Sequence, residues 1–123
     1  MNRLSVYKAY VQFASGQGEK MRPIVILVDD SDGLSLDKSV LAIYSYKKKF
    51  NDEQTRDYYE KILYQIQDSK VAGLNPNMIS YVNVSVVRIY PFRDLLEEAV
   101  FLGELSARDS RGVINKYNEY HSS

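Results

Sequence analysis

Apolar and polar residues alternate, or apolar residues run together, over short stretches in the first part of the chain, which is typical of strands. This pattern predicts strands over residues 4–13, 24–28 and 39–46. The first strand alternates and should be half-buried, whereas the second is continuously apolar and should be buried on both faces. Residues 14–21 contain two glycines and predict a loop, and residues 29–36 predict a turn.

The pattern changes in the second half of the chain. Residues 51–68 lack Gly and Pro and place apolar side chains at helical spacing, so they predict one helix. Residues 79–90 are rich in β-branched side chains and predict a long, bent strand, and residues 99–105 predict a short one. Ser106, with Asp109 three residues later, resembles a capping box and predicts that a helix begins there and closes the chain.

This order of elements favours a fold of the α+β class that is mainly β. The first three strands have no crossover helix between them, which favours a small barrel over a parallel sheet. The predicted fold is therefore a barrel with one inserted helix and a C-terminal helix. We see no linker, repeat or low-complexity tract, so residues 1–123 are expected to form a single domain.

Composition limits the environment and the partners. Apolar residues make up 45% of the chain and charged residues 26%, with 16 basic and 16 acidic side chains. No apolar stretch approaches the roughly 20 residues of a membrane span, and the N-terminus does not resemble a signal peptide, so we expect a cytoplasmic protein without a membrane partner. Because the formal net charge is zero, any nucleic-acid role must rest on a local patch.

Several kinds of chemistry are excluded by missing residue types. The chain has no cysteine, and its single histidine, His121, falls in a C-terminal tail that we expect to fray. A nucleophile activated by histidine and a zinc site are therefore not expected, and no cofactor motif is present. The remaining arginine, lysine, tyrosine, serine and carboxylate side chains are suited to stabilising charge on phosphate.

Arg22 is the sharpest candidate among these residues. Its guanidinium can bind two phosphate oxygens at once, and Pro23 restricts the backbone directly after it. Taken alone, Arg22 fits better as a surface charge that flanks a strand than as a phosphate-binding residue.

A second candidate lies at the end of the third predicted strand. Tyr44 and Ser45 carry hydroxyls just before a lysine run that includes Lys47 and Lys48. Hydroxyls beside lysines can bind phosphate, and tyrosines beside lysines suit the stacking of unpaired bases. The alternative is a solvated strand end whose lysines protect the sheet edge.

A polar strand face is the third candidate. Alternation places Tyr81, Asn83 and Ser85 on one face of the predicted strand over residues 79–90. Such a face can line a cleft, or it can be the wet side of an antiparallel sheet.

Together these segments resemble the MazF/PemK family of toxins from type II toxin–antitoxin systems. The most specific segment is the Glu-x-x-Arg-Pro element within residues 16–27. The other matching segments follow in the family's order: VYKAYVQF at 6–13, LAIYSYKKK at 41–49, AGLNPNMISYVNVSVVRIYP at 72–91 and FLGELSARD at 101–109.

The resemblance implies an SH3-like barrel, usually dimeric, that cleaves single-stranded RNA without a metal ion or other cofactor. The 2′-hydroxyl would attack the adjacent phosphorus and leave 2′,3′-cyclic phosphate and 5′-hydroxyl ends, and an antitoxin would cover the RNA groove. Arg22 would stabilise the reacting phosphate together with Ser45 or Tyr44. Glu19 and Lys20 would lie in a loop over the RNA.

The RNA contacts implied by the resemblance extend to Lys47, Lys48, Tyr81, Asn83 and Ser85. Asn83 and Ser85 occupy places where, in one branch of the family, an arginine and an aspartate act, and neither Asn83 nor Ser85 can be an acid or a base at neutral pH. The general base is therefore unassigned. This leaves two alternatives open, a barrel that binds RNA without cleaving it and a barrel that binds peptides.

Overall fold

The computed structural model describes residues 3–12, 19–27, 37–46, 59–91 and 97–122. These contain seven strands and a C-terminal helix, Ala107–His121. The strands are β1 Ser5–Gln12, β2 Glu19–Ile26, β3 Asp37–Tyr46, β4 Leu63–Gln65, β5 Ile79–Asn83, β6 Arg88–Pro91 and β7 Val100–Glu104.

The strands form one antiparallel sheet in the order β4-β5-β3-β2-β1-β7, with β6 also paired to β3. Strand β3 is the centre: its first half pairs with β6 and its last four residues pair with β5. In the part of the chain that the structure describes, no pairing joins β4 to β7, so the sheet is open and barrel-like. The predicted α+β class, mainly β, is confirmed.

The sheet has apolar side chains on both faces. One face packs under the C-terminal helix, and its main cluster joins Val113 of that helix to Val6, Val25 and Leu41 of the sheet. The other face carries two smaller clusters, one around Ile24 and one that contains Ile62, Leu63, Tyr81 and their neighbours. Because both faces are covered, the central strands are almost continuously apolar, as their sequence indicates.

The three early strands are confirmed, with one correction at β2. The predicted loop over residues 14–21 is wrong for Glu19 to Met21, which pair with β1. Residues 13–18 and 28–36, which include the predicted turn over residues 29–36, lie outside the described residues. Arg22 consequently lies inside a strand, opposite Ala9, rather than at a strand start. Cross-strand pairing with β1 decided this segment, and its polar residues gave no sign of it.

The predicted helix over residues 51–68 is wrong from residue 63 onwards. Residues 59–62 are helical, but Leu63–Gln65 is strand β4, and residues 51–58 lie outside the described residues. Lys116 of the C-terminal helix donates hydrogen bonds to the carbonyls of Glu60 and Leu63, which caps the short helical turn. Pairing of β4 with β5 therefore overrides the local helical pattern.

The predicted strand over residues 79–90 is two strands. The side-chain oxygen of Asn83 accepts hydrogen bonds from the backbone N–H of Ser85, at 2.9 Å, and from its hydroxyl, at 2.6 Å. These hydrogen bonds form a turn that competes with backbone pairing between strands, so β5 ends at Asn83 and β6 begins at Arg88.

The C-terminal helix is confirmed, and Ser106 is its N-cap. The Ser106 hydroxyl accepts a hydrogen bond from the Asp109 N–H at 3.1 Å. The prediction that His121 lies in a frayed tail is wrong. It is the last helical residue, and its Nε2 lies 2.7 Å from the Val84 carbonyl oxygen. No helix among the described residues is long and apolar enough to cross a membrane.

Candidate functional site

The residue that the sequence singles out, Arg22, stacks on an aromatic ring. Its guanidinium carbon lies 4.3 Å from the centre of the Tyr44 ring, and both side chains are half-buried. The negative face of the ring attracts the cation, more strongly where water is excluded. Within the described residues no carboxylate pairs with Arg22. Stacking therefore orients the guanidinium while leaving its N–H groups available to an anion.

Strand register explains why these two side chains meet. Strands β2 and β3 pair as far as Ile24, which lies opposite Ala42. Continuing this register by two residues places Arg22 opposite Tyr44, just beyond the last backbone pair. Pro23 lies where the pairing stops, and it has no N–H to donate. The missing donor therefore interrupts no pair between β2 and β3.

Tyr44 belongs to a row of side chains that crosses the sheet. It pairs with Tyr81 of β5, and Tyr81 pairs with Gln65 of β4. Directly opposed residues in antiparallel strands point to the same face, so the row is Arg22, Tyr44, Tyr81 and Gln65. Tyr46 points to this face as well, and its ring centre lies 5.9 Å from that of Tyr81. We call the side of the sheet that carries these five residues the Arg22 face.

Two tyrosines of the Arg22 face, Tyr46 and Tyr81, remain neutral at neutral pH. Burial raises the pKa of Tyr46, and the nearby Tyr59 and Tyr44 raise it further, whereas Arg22 lowers it. Burial also raises the pKa of Tyr81, and Tyr46 adds to that effect. Since phenols ordinarily titrate near 10, Tyr46 and Tyr81 keep their protons, and neither is a general base at neutral pH.

Ser45 does not join Arg22. Successive residues of a strand point to opposite faces, so Ser45 lies on the other side of the sheet from Tyr44. Its Oγ lies 2.8 Å from Oγ of Ser80, directly opposite it on β5. Of the two hydroxyl residues predicted to act with Arg22, the structure brings only Tyr44 to it.

Asn83 and Ser85 interact with each other. Their hydrogen bonds, given above, occupy the Asn83 side-chain oxygen at the end of β5. Asn83 lies two residues from Tyr81, on the same face of β5, where it pairs with Leu63 of β4. Continuing the register of β3 and β5 by one residue places it opposite Ala42, which pairs with Ile24 rather than with Arg22. These two residues form a turn beside the site.

Two of the three lysines predicted to contact RNA fall outside the described residues. Lys47 and Lys48 are outside the described residues. Glu19 and Lys20 belong to β2, where they pair with Gln12 and Val11 of β1.

Sequence reasoning missed two residues of the Arg22 face. Tyr46 follows Tyr44 by two positions, and strand alternation alone could have placed both on one face. Gln65 could not have been found, because the sequence placed it in a helix. Among the described residues, no group of three acidic or histidine side chains is arranged to hold a metal ion.

Solved structures with a similar fold cover nearly the whole chain. The Mycobacterium tuberculosis toxin MazF-mt6 aligns with a TM-score of 0.65 and 16% identity over 96% of both chains. The fold is that of MazF toxins. A MazE–MazF structure from Deinococcus radiodurans aligns with a TM-score of 0.67 and 14% identity over 99% of this chain and 96% of the other. The predicted resemblance to MazF is therefore confirmed for the fold.

A third similar structure is an endoribonuclease in complex with its cognate antitoxin from a mycobacterial species. It aligns with a TM-score of 0.63 and 13% identity over 98% of this chain and 93% of the other. No family model and no curated protein matches the sequence. The similarity to MazF is therefore one of structure.

Proposed function

We propose that this protein is the toxin of a type II toxin–antitoxin system and cleaves single-stranded RNA without a metal ion or other cofactor. The observation that carries the proposal is the stacked pair of Arg22 and Tyr44. A MazF fold places this oriented, half-buried cation on a sheet face rich in tyrosines. Tyrosine rings suit unpaired bases, and an oriented arginine suits the phosphate between them.

In the proposed reaction, the 2′-oxygen of one nucleotide loses its proton and forms a bond to the adjacent phosphorus. The bond from phosphorus to the 5′-oxygen breaks, and that oxygen gains a proton. The products are a 2′,3′-cyclic phosphate and a 5′-hydroxyl. Arg22 stabilises the extra negative charge on the pentacoordinate phosphate, which is the type of contribution that usually weighs most in such reactions.

Tyr44 has a different role in this proposal from the one that its hydroxyl suggests. Its ring faces the guanidinium, and among the described residues its hydroxyl has no hydrogen-bond partner. Tyr44 is thus a positioning residue that acts through Arg22. Ser45 lies on the opposite face and is not included in the reacting site, and the general base remains unassigned.

The proposal extends to partners and setting. Residues 1–123 act as one domain, in the cytoplasm and as a homodimer, and a cognate antitoxin inhibits the protein. The similar structures from mycobacteria and from Deinococcus radiodurans contain an antitoxin or MazE, which supports this partner.

Controlled expression in bacterial cells tests the toxin role. Induction of the wild type should arrest growth, and Arg22→Ala should abolish the arrest at equal protein level. Arg111→Ala, which removes an exposed arginine of the C-terminal helix, is the matched control and should still arrest growth. Unimpaired growth with the wild type, or equal arrest with Arg22→Ala, would contradict the proposal.

A further inference from the structure

Gln65 is a polar side chain of the Arg22 face that the proposed reaction does not use. It is the last residue of β4, the strand at one edge of the sheet, and it lies directly opposite Tyr81. The side chain is half-buried. An amide at the end of a row that begins with Arg22 is placed to contact the same bound molecule as Arg22.

The orientation of Gln65 is set by its neighbour. The Tyr64 hydroxyl donates a hydrogen bond of 2.7 Å to the buried carboxylate of Asp109, on the face covered by the C-terminal helix. Gln65 therefore points the other way, onto the Arg22 face. The backbone after it is held by the Ile66 N–H, which donates to the Ser80 carbonyl at 2.8 Å.

The side-chain amide of Gln65 is unused within the described part of the chain. Its backbone carbonyl accepts a hydrogen bond from Gln67, but its side chain has no hydrogen-bond partner there. A glutamine amide offers two donors and an acceptor in one plane. That arrangement matches the edge of a nucleotide base, and unpaired RNA bases are read on such edges.

The position of Gln65 along the row indicates whether it contacts a base or the reacting phosphate. Gln65 lies three strands away from Arg22, a distance along the sheet of about 14 Å at the usual strand spacing. The two side chains are therefore too far apart to hold one phosphate group. Of the residues between them, Tyr44 is half-buried and can contact a bound strand, whereas Tyr81 is buried in the cluster with Ile62 and Leu63.

We infer that Gln65 is a specificity-determining residue that reads the edge of one unpaired RNA base near the phosphate bound by Arg22. The inference rests on the proposed ribonuclease activity. A rigidly held strand supports such a role, because base reading needs a donor and an acceptor fixed in position. Loss of the amide should flatten the preference for one base at one position by about tenfold.

Cleavage of a random-sequence single-stranded RNA pool tests this inference. The 5′-hydroxyl ends produced by the wild type, Gln65→Ala and Gln65→Glu are sequenced, and base frequencies are compared at each position around the cut. Gln65→Glu keeps the size of the side chain and replaces the amide donors by acceptors, so it should shift the preference rather than flatten it. Asn77→Ala removes an exposed side-chain amide from the segment before β5 and should leave the preference unchanged.

The outcomes separate the inference from the proposal beneath it. The inference is supported if both Gln65 variants change the base preference at one position. The fold-change in that preference should exceed the fold-decrease in the total cleavage rate. Unchanged base frequencies in Gln65→Glu, with an unfolding curve like that of the wild type, overturn it and leave the ribonuclease proposal standing. Absence of 5′-hydroxyl ends from the wild type overturns both.

Discussion

At the scale of single residues, the contact between Arg22 and Tyr44 is the feature on which the account depends. An arginine side chain that contacts no other group has considerable rotational freedom. Stacking at 4.3 Å on a half-buried ring removes part of that freedom before any ligand binds. The phosphate would then meet a guanidinium that is already oriented, which is the condition for effective charge stabilisation.

Substitutions at Tyr44 separate the ring from the hydroxyl. Tyr44→Phe keeps the stacking surface and should retain kcat within about twofold. Tyr44→Leu removes the aromatic ring and should lower kcat by about five- to tenfold, since a cation–π contact contributes about 1 kcal/mol. Steady-state cleavage of a fluorescent RNA substrate measures both. A large loss of kcat in Tyr44→Phe would instead assign the hydroxyl to the reaction.

At the scale of elements, Asp109 joins the C-terminal helix to the sheet. The side chain is completely buried. Its carboxylate accepts hydrogen bonds from the backbone N–H groups of Gln67 and Asp68, at 2.9 and 2.8 Å, and from the Tyr64 hydroxyl. A buried carboxylate is tolerated when several donors surround it. This network fixes the segment that follows β4, and with it the end of the strand that carries Gln65.

Gly112 is required by the same contact. A side-chain carbon on Gly112 would overlap the Tyr64 ring, which cannot turn away while it donates to Asp109. Exposed glycines in helices usually gain about 1 kcal/mol on replacement by alanine. We expect the opposite sign here, a loss of about 1–3 kcal/mol for Gly112→Ala. Urea unfolding measures it, with Asn115→Ala on the exposed side of the helix as control, and a stabilised Gly112→Ala would show that Tyr64 can move.

The stability contributed by contacts at the start of the C-terminal helix should also depend on pH. Hydrogen bonds from Ser106 and Arg108 lower the pKa of Asp68 below its ordinary value of 3.8. A lowered carboxyl pKa contributes stability above the ordinary value, and that contribution is lost as the pH falls through the lowered value.

At pH 6 the free energy of unfolding should therefore be larger for the wild type than for Asp68→Asn. The difference should shrink as the pH falls below 3.8 and vanish below the lowered pKa. Guanidinium unfolding curves recorded from pH 6 to pH 2.5 measure it. A difference that stays constant over this range would mean that the charge of Asp68 does not stabilise the helix start.

At the scale of the whole molecule, the sequence predicted the strands best where their residues are buried on both faces. The apolar runs of β2 and β3 need no information from elsewhere in the chain, and the N-cap at Ser106 is equally local. The division at Asn83 comes from a side-chain turn to Ser85, two residues further on, which the run of β-branched residues does not show. The change from helix to strand at Leu63 depends on a partner distant in sequence. Local patterns do not report such pairings.

The candidate site follows the same rule. Arg22 could be singled out from its neighbours, and Tyr44 from the strand that it ends. Their stacking follows from the register of two strands, and Gln65 entered the row only through the pairing of β4 with β5. The placement of Ser45 on the opposite face was available from strand alternation.

The most direct measurement is the chemistry of the RNA ends that the purified protein produces in the presence of EDTA. Wild type and Arg111→Ala should convert a long single-stranded RNA into fragments with 2′,3′-cyclic phosphate and 5′-hydroxyl ends. Arg22→Ala should lower the rate by about 10²-fold or more, the size expected when a main charge-stabilising group is removed. Intact RNA with the wild type, or equal cleavage by Arg22→Ala, would contradict the central claim that Arg22 stabilises the reacting phosphate.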